Sequence, residues 1–177
     1  MDNFAQIVES WHDFYHVIGD ASAALMGLLF VSLSLNVCVV TRKANADLRL
    51  LAIQTFISYL SALMFAVIFL IPNQGIMGLG LPMLGIDVTV LYVTVMRIVE
   101  TQRNRPLTWG KGSFAFRFAA PLICFVAILI IAASILMGNT SILYWFVPVI
   151  IVLFWIASIN AWELLLRLGK PCKDASR

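Results

Sequence analysis

The chain has 177 residues, of which 62% are hydrophobic and 12% are charged, and its net charge is +3. Ordinary soluble domains carry about 25% charged residues, so this composition excludes an ordinary soluble domain. The basic residues lie in short segments beside apolar stretches, where they are typical of topology signals and lipid headgroup contacts. We therefore expect the lipid bilayer as a partner and no nucleic acid.

The N-terminal segment 1–16 predicts an amphipathic helix that lies on the outer surface of the membrane. Phe4, Trp11 and Tyr15 recur at helical spacing, while polar side chains occupy the other side of the helix. We expect this helix to run into the first membrane span with a bend near Gly19.

Two histidines of this segment have the spacing of a possible metal site. His12 and His16 are four residues apart, which places both imidazoles on one helix face. Asp13 and Asp20 would supply carboxylates to such a site. A pH-sensitive surface cluster or a solvated polar face explains the same residues, so these alternatives stay open and no cofactor is predicted.

Five long apolar stretches follow, and each has the length of about 20 residues that a membrane-spanning helix needs. They cover residues 17–40, 50–71, 76–99, 118–137 and 142–166, and a basic tail covers 167–177. All twelve Lys and Arg residues lie near the ends of the first, third and fifth stretches, and cationic flanks are retained in the cytoplasm. The sequence therefore predicts one all-α membrane domain with five spans, an outer N-terminus and a cytoplasmic C-terminus.

Small residues mark a packing surface on the first span. Gly19, Ala23 and Gly27 repeat at every fourth position. Small side chains let helix backbones approach closely in lipid, so we expect these three residues to pack against another helix.

The third and fourth spans differ from the others. Five glycines and prolines crowd the outer half of the third span, between 75 and 85. This half is therefore broken or re-entrant, or else the outer turn is longer and Pro82 begins the helix. The fourth span has almost no polar residue apart from Ser134, and we expect it to be the most lipid-facing helix.

Asp87 is the first candidate for a functional residue because it lies near the expected midplane of the membrane. A carboxylate at this depth costs at least about 2.5 kcal/mol on insertion scales, so it should face protein or water. One interpretation is a proton-binding or cation-binding group beside a broken helix. The other is a buried, hydrogen-bonded Asp that fixes helix packing.

A second polar group is predicted nearer the cytoplasm. Asn36, Gln54 and Asn160 come from three spans and are expected at one level, about 10 Å from the midplane. Amides coordinate cations or hydrogen-bond solutes, so converging polar faces would form a vestibule for ions or solutes. The proposed pathway adds further residues on the same faces, namely Asp87, Ser58, Thr94 and Glu163. Interhelical hydrogen bonding, and an ion pair of Glu163 with Arg167, are the alternative interpretations.

The segment WHDFYHVIGDASAALMGLLFVSLSLN, residues 11–36, resembles the start of a loosely described family of small bacterial multi-span membrane proteins. Its members open with a Trp-His-x-Phe segment that runs into an Ala-rich span ending in Leu-Ser-Leu-Asn. The function of that family is not established, and some members carry labels that allude to modulation of a membrane protease. The resemblance implies a bacterial cytoplasmic membrane protein and matches at Trp11, His12, Phe14 and Asn36, but it transfers no catalytic residue.

The sequence favours a non-enzymatic function. It carries no phosphate-binding glycine loop, nucleophile elbow, CxxC pair or dinucleotide fingerprint. We expect a homo-oligomeric channel or transport-like pore for ions or small solutes. The alternative is a non-catalytic membrane subunit that binds or regulates another membrane protein.

Overall fold

A computed structural model describes residues 8, 10–40, 46–72, 74–104 and 111–168. Within these residues the chain is helical and contains no strand. The five long helices are α1 (His12–Leu35), α2 (Ala46–Phe69), α3 (Ile76–Asn104), α4 (Lys111–Leu136) and α5 (Phe146–Leu168). Each is long and apolar enough to cross a membrane, which confirms the predicted all-α class and the five apolar helices of a multi-pass membrane protein.

Two short elements complete the described chain. A helical turn, Val37–Val40, follows α1, and a 3₁₀ helix, Thr140–Trp145, precedes α5. Gly138 ends α4 with a φ of +87°, and its N–H donates to the Ile135 carbonyl at 2.9 Å. A glycine is favoured here because this left-handed conformation is strained for residues that carry a Cβ.

α1 differs from the predicted span of 17–40 at both ends, because it begins at His12 and ends at Leu35. The helix continues without interruption through Gly19, and the bend near Gly19 stays a prediction. Gly19 lies against α2, where a Cβ at residue 19 would be 3.4 Å from the Ala66 Cβ. Half of the predicted surface helix, residues 1–7 and 9, lies outside the described residues, and its last part, from His12, belongs to α1.

α3 is one continuous helix, and it includes the glycine-rich segment and Pro82. None of the three predicted alternatives, a broken half, a re-entrant half or a start at Pro82, is found. Pro82 has no N–H to donate to the Gly78 carbonyl, an interruption that membrane helices tolerate. Gly80 allows close packing, because a Cβ there would lie 2.7 Å from Leu136 Cδ2 on α4.

The helices form an antiparallel bundle with α2 at its centre. α2 packs against α1, α3 and α5, while α4 packs against α3 and α5. The helices α2 to α5 therefore close a four-helix bundle, and α1 lies on the outside of α2. We call the end with the α2–α3 and α4–α5 connections the turn end, and the opposite end, with Arg49 and Arg167, the basic end.

The interior contains two hydrophobic clusters, one toward each end. The turn-end cluster includes Tyr15, Phe69 and Phe146, whose rings stack in sequence with centroid distances of 4.1 and 4.9 Å. The basic-end cluster includes Leu51 and Leu164, both fully buried. These clusters hold the described parts of all five helices together.

α4 is not the most lipid-facing helix, which corrects the sequence prediction. Phe125, Ile128 and Ile135 on α4 are fully buried. The least buried helix of the isolated chain is α1. The prediction failed because a lack of polar residues does not distinguish an apolar helix that faces lipid from one that fills a core.

Candidate functional site

Seven polar side chains on α2, α3 and α5 are buried. Each is at most 3% exposed, and the described residues of α4 add none. On α2 these residues cover 54–61, a segment that also carries Tyr59 of the basic-end cluster. We call this group the polar belt, and its members are Gln54, Thr55, Ser58, Ser61, Asp87, Thr94 and Asn160.

Three hydroxyl groups of the belt are satisfied by the backbone of their own helix. Thr55 donates to the Leu51 carbonyl at 2.8 Å, and Ser58 donates to the Gln54 carbonyl at 3.0 Å. Ser61 donates to the Ser58 carbonyl at 2.9 Å. Such local bonds are ordinary for Ser and Thr within helices, so these residues need no ligand.

Asp87 differs from these residues because neither of its carboxylate oxygens has a hydrogen-bond partner, although the residue is 0% exposed. It lies on the buried face of α3 together with Met83. The basic side chains that the structure describes, Arg49, Arg97 and Arg167, are all exposed. A buried carboxyl group without a partner is energetically costly, and such a group calls for a functional explanation or an additional ligand.

Two further buried polar atoms without a hydrogen-bond partner lie closer to the basic end than Asp87 does. Thr94 Oγ1 and Gln54 Nε2 are buried and have no hydrogen-bond partner. Asp87, Gln54 and Thr94 lie about 16, 22 and 27 Å from the turn-end termini of their helices at 1.5 Å per residue. The three residues therefore differ in axial level by about 4.5 to 6 Å from one to the next.

The three predicted carboxamides do not share one level. Asn160 lies about 21 Å from the turn-end terminus of α5, which matches the level of Gln54. Asn36 lies about 9 Å further toward the basic end, because Tyr15, 21 residues before it, stacks on Phe69. Its side-chain amide donates to the Ser32 carbonyl at 3.0 Å, so Asn36 caps α1 rather than joining the polar belt.

Glu163 lies outside the belt. Its Oε1 accepts hydrogen bonds from Arg167 Nε at 2.9 Å and from Nη2 at 2.6 Å. The two side chains are 22% and 43% exposed, respectively. The structure thus places Glu163 in an ion pair on the surface of α5.

The predicted metal-binding residues lie on exposed parts of α1. The rings of His12 and His16 contact edge to face, with centroids 4.7 Å apart. Asp13 and Asp20 are also exposed. Among the described residues, no group of three His, Cys, Asp or Glu side chains has the geometry to hold a metal ion.

The predicted small-residue surface of α1 is only partly used within the chain. Gly19 is buried against α2, whereas Ala23 and Gly27 are exposed and a Cβ at Gly27 would meet nothing within 4 Å. The face that packs on α2 instead includes Tyr15, Ser22 and Leu29. The prediction therefore correctly places only Gly19 in a contact within the chain.

Several structural features were not predicted from the sequence. Tyr15 and Ser22 have buried hydroxyls without a partner. Together with Leu29 they recur every seven residues, and this spacing identifies the face of α1 that packs on α2. Trp155 on α5 and Tyr92 on α3 are 68% and 62% exposed. Trp155 belongs to an apolar groove of about 540 Å³ between α1 and α5, lined by Ile18, Ile151, Phe154, Trp155, Ser158, Ile159 and Trp162.

Comparison with known proteins adds no further constraint. No family model matches the chain, and searches of curated proteins and of solved structures found no match.

Proposed function

We propose that this chain is a small membrane transport protein that moves ions or small cationic solutes, with Asp87 as its binding group. The observation that carries the proposal is the buried carboxyl of Asp87, which has no hydrogen-bond partner. A bound cation or proton would compensate the charge of this group. Intramembrane carboxyls of this kind mark ion pathways and proton relays in many membrane proteins.

The packing around Asp87 favours binding and release over a permanently open pore within one chain. Leu79 and Met83 lie between Asp87 and the turn end on the same face of α3, and both are 0% exposed. Phe65 on α2 is also fully buried in this half. A solute that reaches Asp87 would therefore need a movement of these side chains to leave at the turn end.

The proposal is tested by measuring ion flux in proteoliposomes under pH and voltage gradients. We expect wild-type flux above that of protein-free vesicles, and we expect Asp87→Asn to reduce it to the level of those vesicles. Thr89→Val is the matched control, because Thr89 lies on the exposed side of the same helix. Absence of wild-type flux, or full flux in Asp87→Asn, would contradict the proposal.

A second candidate function is a non-catalytic membrane subunit that binds further copies of itself or another membrane protein. It is favoured by the exposed flank of α1 that carries Asp20, Ala23 and Gly27. Carboxylates are costly in lipid, and small residues are enriched where membrane helices pack. Of these two assemblies, we propose the homo-oligomer first.

The oligomer proposal is tested with two glycines at which an added Cβ meets open space, Gly27 and Gly85. We expect Gly27→Leu to dissociate the assembly or release a co-purified protein, as measured by light scattering and pull-down. Gly85→Leu, on an exposed face of α3, should leave the assembly unchanged. An unchanged mass for Gly27→Leu would argue against a contact at this flank.

We also propose the bacterial cytoplasmic membrane as the location, with the basic end facing the cytoplasm. The support is the distribution of Lys and Arg over the chain. Labelling of engineered cysteines in intact cells tests this orientation. Reaction of a membrane-impermeant thiol reagent with a cysteine near Lys111, rather than with one near His12, would reverse the proposed orientation.

A further inference from the structure

Both ends of the bundle interior are filled by hydrophobic clusters, but on α3 the buried polar residues continue from Asp87 toward the basic end alone. From Asp87 toward the turn end, the next buried residues on α3 are the apolar Met83 and Leu79. Toward the basic end, Thr94 lies two helical turns further along the same face, about 10 Å away. Gln54 on α2, with its unpaired amide nitrogen, lies between them in axial position.

The axial offsets between these residues, about 4.5 to 6 Å, do not exceed the reach of one bridging water molecule. A water molecule that bridges two polar groups spans about 5–6 Å, since each hydrogen bond is about 2.8 Å long. Water between Asp87, Gln54 and Thr94 would satisfy the polar atoms that lack a protein partner. No comparable set of polar atoms continues from Asp87 toward Leu79 on α3.

The chemistry around Asp87 selects among the cations. α3 packs against α2 and α4, and the described titratable side chains of these three helices are few. On α2 they are Tyr59, which donates to Ser158 at 3.2 Å, and the exposed Arg49. The buried thiol of Cys124 is the one on α4, and those on α3 besides Asp87 are the exposed Tyr92 and Arg97.

No second carboxylate therefore faces Asp87 among the described side chains. Calcium takes six to eight oxygen ligands, and magnesium requires near-ideal octahedral coordination. A proton requires one carboxyl oxygen and no additional space. A proton is thus the ion that this site fits best.

We infer that Asp87 is a proton-binding site loaded from the basic end, through water that hydrogen-bonds Thr94 and Gln54. This inference rests on the proposed function and names its ion. The carboxylate accepts a proton carried by water from the basic end, and the resulting neutral acid gives that proton up by the same route or, after a movement of Met83 and Leu79, at the turn end.

Infrared difference spectroscopy of the purified full chain during a pH titration tests the identity of the ion. We expect a carbonyl band of a protonated carboxylic acid that is lost in Asp87→Asn and retained in Thr89→Val. The band should not respond to added NaCl at constant pH. Loss of the band on addition of Na⁺, or its persistence in Asp87→Asn, would overturn the inference.

Cysteine accessibility tests the route. In a background in which Cys38, Cys124 and Cys172 are replaced by alanine, Thr94→Cys and Met83→Cys are compared in oriented vesicles with a membrane-impermeant thiol reagent. We expect Thr94→Cys to react from the basic end and Met83→Cys to react from neither end. Faster reaction at Met83→Cys would overturn the route.

These outcomes separate the inference from the proposed function. Flux that depends on Asp87 but follows Na⁺ rather than protons would retain the transport function and reject the proton. A proton band assigned to Asp87, together with labelling at Thr94→Cys, would retain the proton site even if no flux were measured.

Discussion

The turn-end cluster and the polar belt occupy neighbouring parts of one bundle interior, yet they differ in how their side chains are satisfied. In the turn-end cluster, the rings of Tyr15, Phe69 and Phe146 stack on one another and join three helices. In the belt, Asp87 and Thr94 are equally buried, but their polar atoms have no partner. Ring packing explains the first region apart from the unpaired Tyr15 hydroxyl, whereas the second retains a carboxyl group that packing does not require.

Because of this difference, we expect the turn-end cluster to determine stability and the unpaired groups of the belt to determine binding. Substitutions in the turn-end cluster should change the free energy of unfolding, because they remove buried contacts. Removal of an unpaired polar group from the belt should cost no stability and should affect only what the protein binds. Four measurements in detergent solution or reconstituted bilayers test this comparison.

The largest effect is expected for Phe69→Ala in the turn-end cluster. Truncation of a fully buried aromatic residue should lower the free energy of unfolding by about 3–5 kcal/mol. Phe30→Ala is the matched control, because Phe30 is 65% exposed on α1. Reversible unfolding followed by circular dichroism measures both variants, and a similar loss in both would refute the importance of this cluster.

The contact between α3 and α4 gives the second effect. Gly80→Ala should be about 1–3 kcal/mol less stable than Gly85→Ala, because both variants gain the helix propensity of alanine but the new Cβ at residue 80 overlaps Leu136. Gly85→Ala meets open space and should raise stability by up to about 1 kcal/mol through helix propensity. Thermal unfolding of both variants measures the difference, and equal shifts in the midpoint would argue against close packing at Gly80.

Two threonines of the belt give the third test. Thr94→Val should leave the free energy of unfolding nearly unchanged, because the buried hydroxyl that it removes has no hydrogen-bond partner within the protein. Thr55→Val should lower the free energy of unfolding by about 0.5–1 kcal/mol, since Thr55 donates to the Leu51 carbonyl. Denaturant titration measures both variants. An equal loss of stability in Thr94→Val would indicate that Thr94 hydrogen-bonds another group of the protein.

The smallest effect is expected outside both regions, at the surface of α5. Glu163→Gln should lower the free energy of unfolding by about 0.3–0.5 kcal/mol through loss of the ion pair with Arg167. High salt should remove most of this difference, because exposed pairs are screened. Unfolding at two salt concentrations measures it, and a large salt-independent loss would place Glu163 among the buried polar groups.

Part of the candidate site follows from sequence. Asp87 is identified by the cost of a carboxylate in an apolar helix, and Gln54 and Asn160 by their distance from the ends of their spans. Asn36 was assigned to the same level because its helix was counted from the wrong first residue. Glu163 was assigned to a shared pathway because helical spacing alone does not show which face of α5 points inward.

The number of spans, their apolar lengths and the one-sided distribution of cations are properties of the sequence alone, because each depends on residue type and order. The tertiary structure decided which face of each helix is buried, that α3 continues through Pro82, and that α4 fills the core while α1 lies outside it. The reason is physical: a membrane helix is apolar on all sides, so its periodicity does not distinguish a neighbouring helix from lipid. Only the packed bundle shows that Asp87 is buried without a hydrogen-bond partner.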